Sequence, residues 1–141
     1  MRRLLAASLF LALPISVAVA QDDALPSGFE TQPVLKSSVT ADGDPIRLPT
    51  EKAQIISVIG TIQAGGRTAR HQHPVPVYVY VMEGELEVVT EGDEPRHYKT
   101  GDAFLESVDR WHQAFNKGSS VTKILVVFIG EEGKPTTVAS Q

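Results

Sequence analysis

The chain has 141 residues, a formal net charge of −4 and no cysteine. That length fits one ordinary domain. The acidic balance and the lack of a basic stripe exclude nucleic acid as a partner, and the missing thiols exclude disulfides and thiolate chemistry.

Arg2 and Arg3 precede an apolar run from Leu4 to Leu13, Pro14 breaks it, and Ala18-Val19-Ala20 forms a small-x-small cleavage site. The run falls short of the ~20 residues a membrane span needs. Residues 1–20 are therefore expected to be a signal peptide cleaved after Ala20. The protein is expected in the periplasm or secreted, with no stable membrane insertion afterwards. Removing 20 of 141 residues leaves 121, and the loss of two arginines takes the charge from −4 to −6.

Residues 21–33 hold two prolines, a glycine and no periodicity, and read as a flexible leader. Short Val-, Ile- and Tyr-rich stretches follow, separated by Gly, Pro and Asp, which is the texture of strands. A first strand is expected over Val34–Thr40 and a strong one over Ala53–Ile62. Another covers Thr68–His73, ended by the bend at Pro74 and Pro76. Val77–Met82 and Glu85–Thr90 flank Glu83-Gly84 as a hairpin. Arg96–Lys99, Ala103–Glu106, His112–Phe115 and Val121–Ile129 bring the total to about nine. The fold class is all-β, a jelly roll or small barrel over residues 34–130, with a polar, mobile tail at 131–141.

His71 and His73 lie two apart, which puts both imidazoles on one face of a strand. His112 follows on a later segment that a closed barrel can bring across to them. Spacing alone leaves two readings open, a shared metal ion or surface histidines in loops. Glu85 and Glu87 alternate with Leu86 and Val88 and read as a solvated face.

The sequence resembles the cupin family in two motifs. Gly65, His71, His73 and Gly84 stand at the spacing of the first, and Gly101, His112 and Asn116 at that of the second. Ser107 and Asp109 replace the second motif's proline and glycine. The resemblance implies a double-stranded β-helix of one domain, with His71, His73 and His112 holding one divalent transition metal (Fe, Mn, Ni, Cu or Zn). It also implies a small-molecule ligand and a homodimer built through the sheets.

One departure stands out. The family's glutamate ligand falls at Val77, or at Tyr78 with a longer loop, and neither is a carboxylate. Glu106 is the candidate replacement, as fourth ligand or general base, if its strand face points inward. The other reading of Glu106 is a solvated carboxylate at a strand end. With the longer loop Tyr78 would face the metal and donate a hydrogen bond there; with the shorter loop Val77, Val79 and Val81 face inward and the tyrosines outward. Val77, Val79, Val81 and Phe104 are expected to line the pocket. The functions that follow are a metal-dependent enzyme of oxygenase or isomerase/lyase type, a non-catalytic metal- or ligand-binding module, and a metal-free barrel.

Overall fold

The computed structural model describes residues 28–140, so the expected signal peptide and most of the leader lie outside the described residues. The chain divides into two units, Met1–Thr31 and Gln32–Gln141. Residues 28–31 of the first carry no strand. Among the described residues, the second holds nine strands. These are β1 (Ala53–Ile62), β2 (His71–Gln72), β3 (Val77–Glu83), β4 (Glu85–Thr90), β5 (Arg96–Lys99), β6 (Ala103–Leu105), β7 (His112–Phe115), β8 (Thr122–Glu131) and β9 (Val138–Ala139).

They form two antiparallel sheets, ordered β1-β8-β3-β6 and β5-β4-β7-β2-β9. Residues directly opposite each other on paired strands share a face. Val77, Val79 and Val81 oppose Phe128, Val126 and Ile124 of β8, and Val79 also opposes Phe104 of β6. This set is the inner face of the first sheet, and the three valines are at most 1% exposed. On the second sheet Leu86, Val88 and Ala114 face them from within the same core. Tyr98 of β5 stacks on Phe104 of β6, centroids 3.8 Å apart, and clamps one sheet to the other.

The expected hairpin at Glu83-Gly84 is not one. β3 pairs with β6 and β8, while β4 pairs with β5 and β7, so the turn carries the chain from one sheet to the other. Gly84 makes the crossing at φ 82°, where a Cβ would lie 2.7 Å from the Val121 carbonyl oxygen. Glycine is required there by conformation and by space together.

Val34–Thr40 forms no strand and makes only a bridge between Val39 and Pro45. Val34, Leu35 and Val39 stay 37–49% exposed, so no buried face rewards pairing there. Polar contacts fix this stretch instead. The Ala41 amide donates to the Leu105 carbonyl (2.8 Å), and Asp42 sits between Arg96 (2.8 Å) and Arg110 (2.9 Å). Regular structure in the expected strand Thr68–His73 shrinks to His71–Gln72, because Pro74 ends the pairing soon after.

The expected polar tail is paired: β8 runs on to Glu131, and Val138–Ala139 forms β9 against β2. Glu87, expected to be solvated, is 7% exposed beneath Lys117, whose Nζ lies 2.6 Å from its carboxylate. No helix among the described residues is long and apolar enough to cross a membrane.

Candidate metal centre

Register builds the site. His71 of β2 stands directly opposite His112 of β7, which in turn opposes Thr90 of β4, so both imidazoles leave the inner face of the second sheet. His73, two residues on, shares the face of His71. Their ring centroids lie 4.4–5.2 Å apart, and the three ligand atoms fall within 4.8 Å of one another. His73 and His112 are each 3% exposed and His71 is half-buried.

The backbone sets each ring's tautomer. The Nδ1 atoms of His71, His73 and His112 lie 2.8, 2.8 and 2.9 Å from the carbonyl oxygens of Ala69, Thr136 and Arg110. A carbonyl can only accept, so each Nδ1 carries a proton, and each ring in its neutral form presents its Nε2 lone pair to the cavity. Backbone carbonyls commonly orient metal-binding histidines in this way. Asp109 ties the turn before His112 to His73. It occupies the motif's glycine position at φ 56°, a region aspartate tolerates better than most residues, and its amide donates to the His73 carbonyl (2.8 Å).

Glu106 completes the arrangement. Its Oε2 lies 3.1 Å from His73 Nε2 and its Oε1 3.6 Å from His112 Nε2, with the side chain 11% exposed. The Glu106 amide donates to the Val77 carbonyl (2.9 Å), one step beyond the Tyr78–Leu105 pair. The carboxylate missing at Val77 therefore enters from the neighbouring strand.

These residues fit a cation. Glu106 Oε2 and His112 Nε2 are buried without a hydrogen-bond partner. With the protons on Nδ1, a carboxylate oxygen faces imidazole lone pairs with no donor between them. That contact is repulsive unless a positive charge sits among the atoms. Burial lowers the pKa of His71 below the ordinary histidine range, partly opposed by its bond to Ala69, and this favours the neutral, ligating form.

The site opens into a cavity of about 450 Å³ lined by Ile62, Leu86, Ile124, Val126 and Phe128, with Arg67 among its polar residues. Phe128 packs edge-on against His73, centroids 5.3 Å apart. The C-terminal segment closes one side. Thr136 supplies the carbonyl for His73, Thr137 Oγ1 lies 3.2 Å from the same nitrogen, and the Ser140 amide donates to the Arg70 carbonyl (3.0 Å).

The structure brings His71, His73, His112 and Glu106 together and leaves Tyr78 out. Tyr78 opposes Val127 on the face of β3 away from the buried valines and does not line the cavity, so the catalytic role considered for it has no geometric support. Val77, Val79 and Val81 are core rather than lining, while Phe104, also core, borders a small void with Glu106 and His112. Arg67, Phe128 and Thr136-Thr137 were not singled out from the sequence. Arg67 sits inside the first motif, four residues before His71, and was the one within reach.

A profile described as "Cupin domain" matches residues 58–128, just over half of the chain. A search of curated proteins returns no match. Among solved structures, the DMSP lyase DddQ of Ruegeria pomeroyi is 23% identical with a TM-score of 0.54, over 61% of this chain and 43% of the lyase. The Bacillus subtilis oxalate decarboxylase, with its Mn(II) centres, is 21% identical with a TM-score of 0.52, over 60% of this chain and 23% of the decarboxylase. A conserved protein with a double-stranded β-helix domain from Klebsiella pneumoniae is 19% identical with a TM-score of 0.53, over 68% of this chain and 90% of its own length. The chain thus spans less than half of either enzyme, and at these identities the likeness is one of fold. From its profile match and its two-sheet barrel, the chain belongs to the cupin superfamily.

Proposed function

We propose that this chain is an exported, metal-dependent cupin enzyme that acts on a small oxygenated molecule by oxygenase or isomerase/lyase chemistry. The observation that carries this reading is the convergence of three imidazole lone pairs and the Glu106 carboxylate, without a proton donor, at the side of an open apolar cavity. A divalent ion held there supplies Lewis acidity toward substrate oxygens or, if it is iron or copper, redox chemistry. Around it, the carbonyls of Ala69, Thr136 and Arg110 hold the imidazoles in the ligating tautomer, and the aliphatic walls exclude water. Glu106 either completes the ligand set or takes a substrate proton at its carboxylate. The fold is shared with a lyase and an Mn(II)-containing decarboxylase, which is consistent with such chemistry.

One observation favours a second reading. With Glu106 the protein supplies four ligands, as closed structural metal sites do, and the chain is then a non-catalytic metal- or ligand-binding module. Nitric oxide separates the two on the iron-loaded protein: an enzyme with an open position gives a spectroscopic adduct, and a closed site gives none. Export predicts a mature protein whose sequenced N-terminus is Gln21. We further propose a homodimer, because Ile55, Ile56, Val58 and Ile59 leave β1 38–69% exposed at those positions along a sheet edge.

A further inference from the structure

The histidine cavity has apolar walls and few charged groups. Besides the imidazoles and Glu106, the ionisable side chain in its lining is Arg67. Its backbone is fixed: Arg67 bridges Phe115, and the next residue, Thr68, donates its amide to the Ala114 carbonyl (2.9 Å) and accepts the Ala114 amide at Oγ1 (3.0 Å). Arg67 is exposed, and none of the ion pairs among the described residues includes it. Arg70, Arg96 and Arg110, the other arginines beside the site strands, are each tied to a carboxylate. Arg67 thus lines the cavity with its backbone held by strand pairing and its cation unpaired among the described residues.

Charge decides which ligand this suits. The imidazoles are neutral in the ligating form, a divalent ion outweighs the single negative charge of Glu106, and Arg67 adds a further positive charge. The cavity then favours an anion. A planar guanidinium pairs with a carboxylate through two parallel hydrogen bonds, while Ile62, Leu86, Val126 and Phe128 suit an alkyl body. We infer that the ligand of this cavity is a small carboxylic acid with an apolar chain, and that Arg67 binds its carboxylate. This rests on the metal reading above for the excess positive charge.

The test is calorimetric titration of the metal-loaded chain with acetate, butanoate and butanamide, on the natural protein and on Arg67→Gln and Arg67→Lys. Butanoate should bind more than roughly tenfold tighter than butanamide. Affinity should rise roughly fourfold for each methylene between acetate and butanoate. Arg67→Gln should cut the preference for acid over amide roughly tenfold, to what the metal ion alone sustains, without changing metal content or amide binding, and Arg67→Lys should restore part of it. Equal binding of acid and amide, no binding of butanoate, or a preference that Arg67→Gln leaves undiminished overturns the inference. Metal content, measured on the same samples, reports separately on the metal reading. If it is nil, an acid preference that Arg67→Gln removes still sustains the role of Arg67.

Discussion

A carboxylate oxygen 3.1 Å from an imidazole nitrogen ordinarily means a hydrogen bond, but in the neutral, ligating ring the proton is elsewhere. His73 has its hydrogen on Nδ1, committed to the Thr136 carbonyl, and Glu106 Oε2 faces the bare lone pair of Nε2. With neutral rings the metal-free site therefore stores repulsion that a cation relieves. Glu106→Gln provides a test, since the amide is nearly the same size, loses the charge and brings an N–H that can donate to the lone pair. In the metal-free protein this variant should be more stable by about 1 kcal/mol, seen as a higher Tm. The same variant should bind metal more than roughly tenfold more weakly. Unchanged stability together with unchanged affinity would mean that Glu106 does not share the histidines' site. The H-x-H spacing made His71 and His73 legible in the sequence, and the second motif added His112. The place of Glu106, just past the end of β6, depends on the register of β6 against β3, which no local pattern states.

At the scale of elements, the site depends on the shortest strand pair in the fold. β9 has two residues, both exposed, yet it borders the histidine strand and leads out of Thr136 and Thr137. Ser140→Pro removes the amide that donates to Arg70 and loosens β9 while leaving the core untouched. Metal affinity should fall roughly 10–100-fold, the usual effect of disturbing an orienting partner, with Tm nearly unchanged. A parallel loss of Tm would show β9 to be structural rather than orienting. A two-residue strand in a polar tail leaves no periodicity to read, which is why the tail was expected to be mobile. The misread hairpin has a related cause. Glu83-Gly84 carries the signal of a tight turn whether the flanking strands pair or part, and only the inner-face packing of Val77, Val79 and Val81 against Phe128, Val126 and Ile124 decides. The longer strands β1, β3, β4 and β8 fell close to their expected bounds, because alternation over six or more residues needs no knowledge of partners.

At the scale of the whole molecule, two features of the described residues lack a partner among them, the exposed apolar face of β1 and the histidine cluster. Fully burying an aliphatic side chain contributes about 1.5–3 kcal/mol, and Ile55 and Ile59 remain 69% and 63% exposed on one face of an edge strand. If a second copy covers this face, light scattering will find a dimer, and Ile59→Glu will give a monomer that keeps its metal. A natural protein that is monomeric at high concentration would remove the dimer from the account. The central claim is more directly tested by elemental mass spectrometry on the chain from Gln21 onward, purified without a histidine tag or chelator. The account predicts close to one transition-metal ion per chain, lost in His73→Ala and His112→Ala and reduced in Glu106→Gln. A chain that stays empty after incubation with iron, manganese, nickel, copper and zinc, or that keeps its metal in the histidine variants, would contradict it.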